Sequence, residues 1–163
     1  MTALESTKLS EQETLMGTPT TRPWRARALV VIAAVLAALA VWLVTDPLLG
    51  VDLAAPTGPG SEELQSITPA LVAGTSLVAA LAGWGLLALL ERFTDRPRTI
   101  WTAIALLVGL LSLAGPLSTI ASTTVANGLS LALMHLAVAA VLIPGLATTA
   151  PPLDRPAPAR ESL

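Results

Sequence analysis

Cysteine and tyrosine are absent from this chain, and phenylalanine and histidine occur once each. Without cysteine there is no disulfide, no thiolate nucleophile, no iron–sulfur cluster and no thiolate zinc site. With His135 as the only histidine, one chain cannot assemble bis-histidine haem ligation or a three-ligand catalytic metal site. Charge is scarce too: 12% of residues are charged and the net charge is −2 at pH 7. That balance, with no basic stripe beyond short flanks, argues against a nucleic-acid partner. It also excludes a water-soluble domain of 163 residues, which needs far more charge to cover its surface.

What remains is apolar and small-sided. Hydrophobic residues make up 53% of the chain, mostly Ala, Leu and Val, and mean hydropathy is +0.73. This is the composition of helices in lipid, where backbones approach closely over small side chains. A membrane-crossing helix needs about 20 mostly apolar residues. Ala28–Val44 is such a run, closed by Asp46-Pro47, and Ile67–Leu90 is a second, closed by Glu91-Arg92. The uncharged run Thr99–Leu153 would reach about 80 Å as one helix, so it must fold back. Gly115-Pro116 and the Ser/Thr cluster 118–124 are the turn signal.

The chain therefore reads as an all-α, polytopic membrane protein, with four spans in an antiparallel bundle at about 28–45, 67–90, 99–116 and 124–147. The transmembrane domain occupies 27–148, with a disordered N-terminal tail at 1–26 and a proline-rich tail at 149–163. The first run exceeds a signal-peptide h-region and no small-x-small cleavage site follows, so it is expected to stay as a helix. The outer loop, 46–66, is expected to be flexible and solvated.

All nine basic residues fall on one side of this threading: Lys8, Arg22, Arg25, Arg27, Arg92, Arg96, Arg98, Arg155 and Arg160. The other side carries Asp46, Asp52, Glu62 and Glu63. The positive-inside rule then places both termini and the 91–98 loop in the cytoplasm; the expected location is the plasma membrane. Trp24 and Trp101 at one boundary and Trp42 at the other are expected to anchor at the interface. Arg92, Arg96 and Arg98 are candidate contacts for anionic lipid headgroups.

Small residues recur at helical spacing in every span: Ala33/Ala37/Ala40, Ala73/Ser76/Ala80/Gly83, Thr102/Ala105/Gly109/Ser112 and Gly128/Ala132/Ala139. Such faces pack against other helices. His135 falls on the last of them, roughly 16 Å below the outer end of its span, near the bilayer midplane. Ser76 at about 13 Å and Ser112 at about 10 Å lie close to that depth, so with Thr75 they form a candidate intramembrane polar cluster. An ionisable residue in a span is a functional candidate by default, but no carboxylate within a span could complete a proton relay. No nucleophile has a matching base, and no phosphate-cradling loop or metalloprotease helix occurs. The expectation is that His135 ties helices together, and that the protein is not an enzyme and holds no cofactor.

The segments "RALVVIAAVLAALAVWLV", "PLLGVDL", "LAGWGLLALLER", "LSLAGPLS" and "LALMHLAVAAVLIPGL" together resemble an uncharacterised actinobacterial family of small four-helix integral membrane proteins, a domain of unknown function. The resemblance covers about residues 25–147 and implies fold, topology and location, with no activity attached. The resulting expectation is a non-enzymatic interaction or accessory component, meeting the bilayer and a membrane-protein partner or a second copy of itself. The alternative is a small transporter or permeation unit, oligomeric or not, with a polar path near His135.

Overall fold

The computed structural model describes residues 23–58 and 61–150; the tail expectations for residues 1–22 and 151–163, with Lys8, Arg22, Arg155 and Arg160, lie outside the described part. Four helices long and apolar enough to cross a membrane run over Trp24–Leu48, Pro69–Phe93, Pro97–Ala121 and Val125–Thr149, each of 25 residues. At 1.5 Å per residue each is about 37 Å long, enough for a hydrocarbon core of about 30 Å with room to tilt. The sequence-based spans are therefore right in number and place, and short at several ends.

Helix α1, Pro23–Leu43, continues as a single π-turn, Val44–Leu48, that absorbs Pro47. Helix α2, Pro69–Phe93, begins with Pro69 after an N-cap, Thr68, whose hydroxyl accepts from the Leu71 amide at 3.3 Å. Proline suits the first helical position because its missing N–H would be unpaired there anyway. Helix α3, Pro97–Ser112, starts the same way.

The expected turn at Gly115-Pro116 is not where the chain reverses. Leu113 keeps a right-handed helical conformation, and helix α4, Ala114–Ser118, carries the third span onward to a 3-10 turn at Thr119–Ala121. Pro116 lies in the first turn of α4, where proline removes no helical hydrogen bond. The reversal comes at Ser122–Thr124, and Thr124 caps helix α5, Val125–Thr149, by accepting from the Asn127 amide at 3.1 Å.

Helix α5 runs through Pro144, inside the span expected at 124–147, and ends two residues later than expected. Spanning helices tolerate an internal proline when neighbours hold both flanks. Here Leu146 and Ala147 just beyond it are buried at 0% and 6% exposure. The helix stops at Ala150, whose extended backbone is what a following proline demands.

The helices alternate in direction. Helix α1 packs against α2 and α5, while α3 packs against α5 and α2. Packing divides into two clusters. One joins Ala38, Val72, Leu131 and Met134 with Leu53 from the α1–α2 connection. The other, at the opposite end, joins Leu87, Trp101, Leu146, Ala147 and Ala150. Glycine is needed where α5 meets its neighbours: a Cβ on Gly145 would lie 2.6 Å from Val30 Cγ1, and one on Gly128 would lie 3.0 Å from the Pro116 carbonyl.

The α1–α2 connection is more ordered than a solvated linker. Strand β1, Ala54–Pro56, pairs antiparallel with β2, Leu64–Ser66, in the register Ala54↔Ser66, Ala55↔Gln65 and Pro56↔Leu64. The apolar residues just before the first strand explain the order, since Leu53 is 3% exposed and anchors the hairpin in the core.

Candidate functional site

The packing faces of α2 and α3 follow the expected small-residue stripes; that of α1 does not. Ala33 and Ala40 are exposed, and the buried line is Arg27, Val31, Ala34, Ala38 and Thr45. Alanine periodicity cannot set the phase of a helix whose every face is apolar. The polar residues can, because Arg27 and Thr45 lie about five turns apart and so share a face.

Arg27 is the centre of the first polar site. It is 8% exposed although it stands at the start of a membrane span. Its Nη1 donates to Glu91 Oε2 at 3.1 Å and its Nη2 to Glu91 Oε1 at 2.5 Å. Its Nε donates to Thr149 Oγ1 at 3.1 Å, and Nη2 also reaches the Thr149 carbonyl at 3.2 Å. One guanidinium thus joins the ends of α1, α2 and α5. The planar fork matches a carboxylate in a way an ammonium cannot.

Asn127 centres the second site, at the hairpin end. It is the only asparagine of the chain and is 1% exposed. Its Nδ2 donates to the Ala54 carbonyl at 2.9 Å and to Thr123 Oγ1 at 2.8 Å, while its Oδ1 accepts from the Ala54 amide at 3.0 Å. The side-chain amide therefore takes the place of a further strand along β1, blocking an edge that would otherwise hold unpaired backbone groups. Nearby, Trp42 Nε1 donates to the Ile67 carbonyl at 2.9 Å.

Sequence reasoning took Arg27 and Glu91 only as span boundaries and passed over Asn127. A signal was there in each case: a lone asparagine in the first turn of a span, and an arginine and a glutamate at the same membrane level. Trp101 is a correction. It is 1% exposed and its Nε1 donates to the Gly83 carbonyl at 2.8 Å, so it ties α3 to α2 within the core and is no interfacial anchor. Trp24 is 51% exposed, with the Arg25 guanidinium 5.5 Å from its ring centroid.

The four residues of the expected intramembrane cluster are not brought together by any described hydrogen bond. Ser112 donates to the Gly109 carbonyl at 2.7 Å and Thr75 to the Leu71 carbonyl at 2.8 Å, each within its own helix. Ser76 is buried on α2 in line with Val72 and Ala80. His135 is exposed, and its Nδ1 lies 2.8 Å from the Leu131 carbonyl of its own helix. The expected helix-to-helix tie through His135 is therefore replaced by a local bond, because the carbonyl one turn earlier is the nearest acceptor. Arg92, Arg96 and Arg98 are all exposed beside the Arg27 site.

A family model, described as a family of unknown function (DUF6069), matches residues 18–152. The chain belongs to that family. The match takes in both polar sites of this DUF6069 member whole, from Arg27 to Thr149. No curated protein and no solved structure matches this DUF6069 chain.

Proposed function

We propose that this multi-pass membrane protein works in the plasma membrane, with both termini cytoplasmic, as a non-enzymatic interaction or accessory component. The observation that carries the reading is the use made of its buried polar groups. Arg27 and Asn127 hold the two ends of the bundle, while Thr45, Thr119 and Ser130 bond carbonyls of their own turns. These groups build a scaffold and leave its outer faces apolar, as at Leu107, Leu110 and Leu111 on α3.

The basic residues support that orientation: Arg25, Arg92, Arg96 and Arg98 lie toward the Arg27 end of the spans, opposite Asp46, Asp52, Glu62 and Glu63. In this reading Arg92, Arg96 and Arg98 contact anionic headgroups of the inner leaflet. Permeation through His135, Ser76 and Ser112 has less support, since the Ser112 and Thr75 hydroxyls are engaged with their own helices.

Reporter fusions at each end test the orientation. Both should score cytoplasmic, and a periplasmic score at either end rejects it. Photo-cross-linking from Leu110 in native membranes should give one discrete protein adduct; labelling of lipid alone rejects the interaction reading.

A further inference from the structure

His135 is exposed on the wrong side of its helix for a lipid-facing residue. At 100° per residue it stands about 40° from Leu131 and about 20° from Gly128, Leu142 and Leu146 around the α5 axis. Leu131 is 8% exposed, Leu146 is 0% exposed and Gly128 is buried. The packing face of α5 is thus closed above and below His135 and open at it. The exposure of His135 interrupts that packing face. The surrounding side chains are small: Ala132 is buried on the same face, and Ala139 meets Gly109 of α3, where a Cβ would lie 3.9 Å from that of Ala139.

The imidazole is held in one orientation. A carbonyl oxygen only accepts, so at 2.8 Å from the Leu131 oxygen it is Nδ1 that carries the hydrogen. In a neutral imidazole held this way, Nε2 is the lone-pair nitrogen, turned away from α5. Among the described residues no donor reaches Nε2. The position is about 15 Å along a helix of about 37 Å, close to the bilayer middle, where water is not at hand to donate.

We propose that this face, open at His135, binds a neutral, lipid-soluble molecule through a hydroxyl that donates to His135 Nε2. An acceptor nitrogen selects a donor, and the uncharged interiors of α3 and α5 offer no counter-charge to an ionic ligand. The small apolar surroundings suit a hydrophobic body. The hydroxyls of Ser112, Thr75 and Ser130 are already engaged with carbonyls at 2.7–2.8 Å, which favours a ligand that brings its own donor.

Because His135 is the only histidine, uniform [15N]histidine labelling reports this one ring. The full chain is placed in phosphatidylcholine nanodiscs, whose lipid has no free hydroxyl, and titrated with 4-nonylphenol or its methyl ether. The expected result is a protonated Nδ1, an unprotonated Nε2, and a saturable Nε2 shift with the phenol only. His135→Phe should weaken binding of the labelled phenol at least tenfold while helicity is kept. The wild-type titration stands on its own if that variant does not fold. Overturning results are an Nε2 already protonated, no saturable shift, an equal shift with the ether, or an Nε2 shift that follows the protein-to-lipid ratio without the phenol, which would assign the site to a second copy.

Discussion

Neutralising Glu91 removes the one counter-charge bonded to Arg27 among the described residues, so Glu91→Gln leaves a guanidinium that is 8% exposed without that partner. Two reference values bracket the loss: an exposed pair contributes about 0–1 kcal/mol, and breaking a buried pair costs about 3–5 kcal/mol. The Glu91 side chain is 19% exposed, so some screening from the membrane surface reaches the pair. A loss of about 2–3 kcal/mol follows, nearer the buried limit because Arg27 itself is enclosed. Arg27→Met removes the charge and keeps the apolar stem. The double variant has no orphaned charge, so it should be less destabilised than the sum of the two single changes, with a coupling of about 2 kcal/mol, roughly thirtyfold in the unfolding equilibrium. The measurement is reversible unfolding in mixed micelles by SDS titration, followed through tryptophan fluorescence. A coupling under about 0.5 kcal/mol would refute the reasoning, because the pair would then behave as a screened surface contact.

Asn127→Leu keeps the side-chain bulk but strands the Ala54 amide and carbonyl, and should cost about 2–4 kcal/mol at roughly 1–3 kcal/mol per orphaned group. Amide hydrogen exchange should speed up at Ala54 and Ile67, leaving α2 protected, and unchanged exchange in the hairpin would show that Asn127 does not hold it. Gly145→Ala places a Cβ 2.6 Å from a methyl of Val30, a side chain with little rotamer freedom in a helix, and should cost about 1–3 kcal/mol. Adding Val30→Ala should recover part of that loss in the same unfolding assay, and a double variant weaker than Gly145→Ala alone would place the conflict elsewhere.

Much of the fold was legible in the chain because lipid imposes strong rules. Every backbone group must bond internally, so long uncharged runs become helices, and their number follows from length. Local punctuation was less legible. Pro116 read as a turn, yet it occupies the first turn of a helix, and Pro144 is carried within α5 with Leu146 and Ala147 buried just beyond it. The loop at 46–66 read as flexible because its composition is that of a linker, and the burial of Leu53 is a tertiary fact.

The sequence by itself determined the helical class, the four spans, the charge asymmetry and the packing faces of α2 and α3. All of these depend on local composition and period. The tertiary structure decided which face α1 buries, that Trp101 belongs to the core, and that Arg27, Glu91 and Thr149 meet. It also decided that Asn127 completes the edge of β1 and that His135 is exposed and bonds within its own helix. Each depends on groups far apart in the chain finding one another, as Arg27 and Thr149 do across 122 residues. In a helix such as α1, apolar on every face, the alanine pattern did not distinguish the side that packs; Arg27 and Thr45 do so once they have partners.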